Sequence, residues 1–160
     1  MRAAVFSVTR RGAELSKRIA KAFPDGWNVM LFCFERYPAD GAEPFANLAQ
    51  KTAEVFPECS AVVFVCACGI AVRAVAPLIK SKQTDPAVVV LDDCGKFAVS
   101  LLSGHLGGAN RMTEIIAEAV GAQPVITTAT DAGGRFSPDC FAAANGLIFK
   151  DFSAAKELAS

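Results

Sequence analysis

"PAVVVLDDCGKFAVSLLSG", Pro86 to Gly104, decides the fold. Two apolar, β-branched-rich runs flank the polar turn Asp92-Asp93-Cys94-Gly95, which reads as a hairpin. A hairpin pairs its strands antiparallel, so the sheet these residues join is mixed.

Outward from the hairpin the pattern changes to strands alternating with helices. Upstream, "AVVFVCA" (Ala61 to Ala67) is a fully apolar strand ended by Gly69. "IAVRAVAPLIKSK" then opens a helix that Pro77 kinks or interrupts. "RAAVFSV" (Arg2 to Val8) and "WNVMLFCF" (Trp27 to Phe34) read as two further strands. "GAELSKRIAKAF" (Gly12 to Phe23) places Leu15, Ile19, Ala22 and Phe23 on one helical face. "FANLAQKTAEVF" (Phe45 to Phe56) does the same with Phe45, Leu48, Ala49, Thr52 and Phe56, after the loop "YPADGAEP". Downstream come a helix, "RMTEIIAEAVG" (Arg111 to Gly121, the glycine as C-cap), and a strand, "QPVITTATD" (Gln123 to Asp131). A weaker helix–strand–helix pattern follows in "CFAAANG", "LIFKD" and "SAAKELAS".

Strands apolar on both faces need cover on both faces. The expected architecture is therefore α/β: three layers, α/β/α, around a mainly parallel sheet containing one hairpin. The Gly-, Pro- and Asp-rich stretch "TDAGGRFSPD" (Thr130 to Asp139) marks a boundary. Residues 1–131 are read as an N-terminal α/β domain, and 132–160 as a linker and the beginning of a further segment that stops abruptly at Ser160.

Hydrophobic residues make up 52% of the chain, which excludes disorder. Sixteen basic and sixteen acidic residues cancel, so no basic excess advertises nucleic acid. No apolar run approaches a membrane span, and charge ends the first one too early for a signal peptide. A cytoplasmic protein is expected, its six cysteines reduced. Cys66-Ala67-Cys68 lacks the spacing of a CxxC metal or redox motif, so no metal site is expected. On a strand the two thiols would share a face, most simply as small apolar groups.

Three strand ends carry residues suited to chemistry, since α/β sheets bind ligands beyond the carboxyl ends of their strands. At "CACGIAVR", Gly69 turns a strand into a helix whose first N–H groups suit an anion, with Arg73 one turn on; the alternative is a plain turn with a solvated arginine. At "SLLSGHLGGANRM", His105 is the only histidine in the chain and stands among Gly104, Gly107 and Gly108. An imidazole is the side chain best suited to acid–base work near neutral pH, so His105 is a candidate for it, or else it is structural. Ser103 lacks a GxSxG elbow, which argues against a serine triad. Asn110 caps the next helix or meets a ligand carbonyl. At "ITTATD", Thr127, Thr128, Thr130 and Asp131 position a polar group or form a turn. Lys80 and Lys82 are read as solvated, and Asp85 beside them is left without a role. A nucleotide-binding fingerprint is missing after the first strand, where "SVTRRGAEL" holds one glycine.

From about Val62 to Asp131 the chain resembles the CbiG family of cobalamin biosynthesis, the cobalt-precorrin 5A hydrolases. The resemblance rests on G-I-A-V-R, T-D-P-A-V-V-V, S-L-L-S-G-H-x-G-G-A-N and T-T-A-T-D together. Cys66 stands where the family pattern has glycine. The resemblance implies hydrolytic opening of the δ-lactone of cobalt-precorrin 5A, then loss of acetaldehyde to give cobalt-precorrin 5B. No cofactor is implied, because cobalt arrives in the substrate, a tetrapyrrole with acetate and propionate arms. On this reading His105 is the acid/base group. The Gly107 and Gly108 N–H groups donate to an oxyanion or carboxylate, Asn110 orients the lactone carbonyl, and Asp131 polarises His105 or water. Gly69, Arg73, Ser103, Arg111, Thr128 and Thr130 contact substrate around the same cleft. Axial ligation of the substrate cobalt is an alternative role for His105. Family members normally continue into a C-terminal domain absent here, so a tetrapyrrole-binding domain without activity of its own is the alternative function. A homo-oligomer is compatible with all of this.

Overall fold

The computed structural model describes residues 1–128 except Lys82 and Leu106. The expected boundary at 130–139, the elements expected after it, Thr130 and Asp131 lie outside the described residues.

Among the described residues, seven strands form one sheet in the order β3-β2-β1-β4-β5-β6-β7. They are β1 (Arg2–Ser7), β2 (Asn28–Phe34), β3 (Glu43–Phe45), β4 (Ala61–Val65), β5 (Ala87–Leu91), β6 (Phe97–Leu102) and β7 (Gln123–Val125). The hairpin read from Pro86 to Gly104 is β5–β6, and it is the only antiparallel pairing among the described residues; β7 then pairs parallel to β6. Consequently β6 and β7 run against the other five strands. Four helices cover the sheet: α1 (Arg10–Ala20), α2 (Leu48–Val55), α3 (Cys68–Val75) and α4 (Ala109–Val120). The predicted three-layer mixed α/β/α architecture is the observed one.

The helix starts follow from side-chain caps. Thr9 Oγ1 accepts the Gly12 N–H at 3.0 Å, so α1 begins two residues earlier than its periodicity indicates. Asn47 Oδ1 accepts the Gln50 N–H at 3.1 Å and starts α2 at Leu48. Phe45, expected at the head of that helix, is instead the buried end of β3, a three-residue strand too short to show a period. Pro77 does interrupt its helix: α3 stops at Val75 and a 3-10 turn spans Ala76–Leu78. Gly121, at φ +72, ends α4 as expected. β7 is shorter than the strand read from Gln123 to Asp131, and Thr127 and Thr128 follow it.

The two faces of the sheet pack differently. α1 and α4 bury Leu15, Ile19, Met112 and Ile116 against Val5, Val63, Val89 and Leu91. Under α2 and α3 the layer is aromatic: Phe6 stacks between Phe32 at 4.9 Å and Phe64 at 5.3 Å, its in-register neighbours on β2 and β4. Both outer strands of the described sheet carry a central proline, Pro44 and Pro124. The Phe45 carbonyl accepts the Glu35 N–H, and the Gln123 N–H donates to Lys96, both toward the sheet. Alternation therefore turns each proline nitrogen to the open side. No helix among the described residues is long and apolar enough to cross a membrane.

Candidate active site where the reversed strands end

Strand direction divides the expected site residues between two edges of the sheet. β1, β2, β4 and β5 end at one edge, with Gly69 just beyond β4. β6 ends at the opposite edge, where Leu102 faces Val88 at the start of β5. The five residues of β5 separate the edges by roughly 16 Å at ~3.3 Å each. Gly69 and Arg73 therefore do not share a cleft with Ser103–Asn110, contrary to the expectation from sequence. The hairpin is the reason: it carries the glycine-rich loop to the edge where the parallel strands begin. Arg73 does not cross the gap either. Its guanidinium turns back to donate to the Gly69 carbonyl at 2.9 Å and is exposed.

At the edge where β6 ends (the lower edge, the other being the upper), a bulge precedes the loop. Val88 and Val89 are adjacent on β5, yet face Leu102 and Ser100 on β6, so Leu101 is an extra residue. Ser103 follows at φ +59, the one non-glycine residue with positive φ among the described residues. A β-carbon there costs roughly 1 kcal/mol, and the surroundings hold it. Ser103 Oγ donates to the Asp85 carbonyl at 3.1 Å, and the Ser103 carbonyl accepts the Ala109 N–H at 3.1 Å. The Asp85 carboxylate in turn accepts N–H bonds at 2.9 Å from both Lys80 and Ser81, which fixes the loop before β5. Asp85 is only 7% exposed. Sequence reading missed it; the usable signal was an Asp-Pro pair at a strand start, a position that favours side-chain-to-backbone turns.

The glycines also acquire reasons other than those expected. A β-carbon on Gly107 would lie 2.3 Å from Ser103 Cβ and 2.8 Å from its carbonyl oxygen. Gly108, at φ +81, is the left-handed residue that precedes α4. Its N–H donates to the His105 carbonyl at 2.9 Å, and the Asn110 N–H donates to Gly104 at 3.0 Å. The Gly108 N–H is thus committed to closing the loop and is not an oxyanion donor in this conformation. His105 itself sits at the turn of the loop, partly buried.

Asn110 is not the cap of α4, which already begins at Ala109. Its carboxamide is a bracket across the edge: Oδ1 accepts from Ser100 Oγ on β6 at 2.7 Å, and Nδ2 donates to Thr128 Oγ1 at 2.9 Å. This brings Asn110 and Thr128 together beside the His105 loop, as the sequence grouping expected, but with Asn110 turned to the protein. Arg111 projects outward on the first turn of α4, with Glu114 3.5 Å away.

The opposite edge holds the other chemically suggestive groups. Asp92, Asp93 and Cys94 bring one ligand atom each within 4.8 Å of one another. The Asp92 carboxylate already accepts N–H bonds from Cys94, Lys96 and Phe97, and Asp93 accepts from Thr9 Oγ1, so the turn accounts for both acids. Cys66 and Cys68 do not share a strand face. β4 stops at Val65, Cys66 is buried, and Cys68 starts α3 exposed. Burial pushes the Cys66 thiol up to about 11.

Comparison with known proteins connects this geometry to a family. Residues 50–131 match the family model described as Cobalamin synthesis G N-terminal. A Salmonella typhimurium protein named cobalt-precorrin-5A hydrolase is 44% identical over 140 residues, covering 87% of this chain and 39% of that protein. A Priestia megaterium protein of the same name is 34% identical over 154 residues, covering 92% and 40%. A crystal structure of a cobalamin biosynthesis protein G homolog from Sulfolobus solfataricus shares the fold with a TM-score of 0.58 at 25% identity, covering 78% of this chain and 36% of that one. The chain thus spans about two-fifths of the length of the curated relatives it matches. The matched segment fills just over half of the chain and runs from α2 through the hairpin and the His105 loop: the chain belongs to the Cobalamin synthesis G N-terminal family.

Proposed function

We propose that this domain works in cobalamin biosynthesis as part of a cytoplasmic cobalt-precorrin-5A hydrolase. The reaction opens the δ-lactone of cobalt-precorrin 5A with water and releases acetaldehyde to give cobalt-precorrin 5B. The observation that carries the reading is the family match running through the loop that holds the only histidine of the chain.

Water adds to the lactone carbonyl, the ring C–O bond breaks, and the freed alkoxide takes up a proton. Expulsion of acetaldehyde then needs the resulting hydroxyl proton removed as the C–C bond breaks. His105 is the acid/base group for these transfers, because an imidazole gives and takes protons near neutral pH. Ser103, Gly107 and Gly108 shape the loop that presents it. Asn110 and Thr128 hold that loop to β6 and act as positioning residues, with the Asn110 carboxamide engaged by Ser100 and Thr128 and not by the lactone. Arg111, outward on the same edge, meets a carboxylate arm. Thr130 contacts substrate, and Asp131 polarises His105 or the water. The domain needs no cofactor of its own, since cobalt enters within the substrate.

Acetaldehyde release from cobalt-precorrin 5A tests this reading. His105→Ala is expected to lose at least about 100-fold, the lower range for a general acid–base group; release at the wild-type rate would take His105 out of the chemistry. The 39–40% coverage of the relatives favours one second reading, a tetrapyrrole-binding domain that relies on the rest of a longer enzyme. Substrate binding by residues 1–160 without acetaldehyde would establish it.

A further inference from the structure

A cavity of about 470 Å³ opens at the same edge as the His105 loop, at the amino ends of β4 and β5. Phe56, Pro57, Pro77, Leu78 and Pro86 supply its apolar wall, and Lys80 and Asp85 its polar side. Small-molecule sites share this size and this mix of apolar wall with a few converging polar groups. Asp85 ties the cavity to the candidate active site: its carbonyl accepts Ser103 Oγ at 3.1 Å, two residues before His105. Its carboxylate is already satisfied by the Lys80 and Ser81 N–H groups, so the acid stiffens the wall.

We propose that this cavity seats one rim of the tetrapyrrole, with the Lys80 ammonium receiving a carboxylate carried on that rim. The proposal rests on the tetrapyrrole reading above. The lining chooses this occupant. Three proline rings, a phenyl ring and a leucine offer stiff apolar faces that match the edge of a flat macrocycle. A phosphate would call for several convergent N–H or guanidinium donors, and a sugar for a polar lining. One cation beside apolar walls fits a ring carrying an acid arm.

Two stable cobalt corrins serve as probes: one whose arms are carboxylates (cobyrinic acid) and one with the same ring carrying amides (cobinamide). Each is titrated into residues 1–160 and followed by visible absorbance and equilibrium dialysis. Lys80→Met is expected to weaken the carboxylate probe about 10-fold and to leave the amide probe within about twofold. Thr84→Trp, at an exposed position on the cavity lining, is expected to weaken both about 10-fold or more at an unchanged melting temperature. If both variants bind both probes as the wild type does, the cavity proposal falls and the tetrapyrrole sits elsewhere on the domain. If the wild type binds neither probe, the tetrapyrrole reading fails and takes the cavity with it.

Discussion

The two edges of the sheet hold similar raw material and use it differently. Where β1, β4 and β5 end, Arg73 folds back on its own helix and Asp92 on its own turn, each bonding backbone within five residues. Where β6 and β7 end, the contacts gather around one loop: Asn110 joins β6 to Thr128, and Ser103 joins its loop to Asp85. At the upper edge the long ties, Thr9 to Asp93 and Arg11 to Cys94, hold the start of α1 to the hairpin turn, whereas at the lower edge the ties converge on the loop that presents His105. Preorganised chemistry needs bracing of the second kind, because a catalytic group gains from being held by neighbours that cannot relax independently.

The strongest way to break that contrast is Gly107→Ala. Its β-carbon would overlap Ser103 Cβ and backbone, so the loop must move, at an expected cost of about 3 kcal/mol by chemical denaturation. Stability within about 0.5 kcal/mol of wild type would mean that the loop has slack and the bracing is illusory. Asn110→Ala comes next. It removes the carboxamide bonds to the Ser100 and Thr128 hydroxyls, with an expected loss of about 2 kcal/mol and faster amide exchange across 103–108. Unchanged exchange there would remove Asn110 from its positioning role.

A thiol map sharpens the comparison with a smaller effect. Cys68 and Cys94, both at the upper edge, are exposed and are expected to alkylate quickly at pH 8, as read by peptide mass spectrometry. Cys59 in the lower cavity wall and Cys66 are expected to stay unlabelled until the chain unfolds. Burial raises both thiols from an ordinary 9.0 to about 11. The sign follows: both states hold the proton below pH 9, and above it the unfolded chain ionises first. Stability is therefore intact below about pH 9 and is lost as pH rises through 11, and Cys59→Ala with Cys66→Ala should flatten that decline. Rapid labelling of Cys59 in the folded protein would show that wall open to solvent. The smallest effect belongs to Arg73→Met, under about 0.5 kcal/mol, with no change in exchange at 103–108. Coupling between them would mean that the two edges are not independent.

Much of this fold was legible because its decisive signals are local. The apolar runs of β1, β4 and β5, the hairpin at Asp92–Gly95, Pro77 and Gly121 each act within a few residues. What escaped was whatever depends on direction or distance. A rule about carboxyl ends treats all strands alike, and it grouped Gly69 and Arg73 with His105. One reversed strand makes the same rule point to opposite edges. β3 escaped because three residues have no period, and Asp85 because its role is set by a serine eighteen positions away. The glycines around His105 stand out in the sequence, but the reason for Gly107 is crowding from Ser103, which only the folded loop reveals.

The two outward-facing prolines have a consequence for how this protein meets others. A chain laid beside β3 or β7 would find no N–H at the centre of either strand, and each strand is only three residues long. Strand addition, the common route to runaway self-association in sheet proteins, is blocked at β3 and β7 by the chain's own sequence. At these two strands the sheet therefore discourages a neighbour's backbone, and association through them is directed to helices or loops.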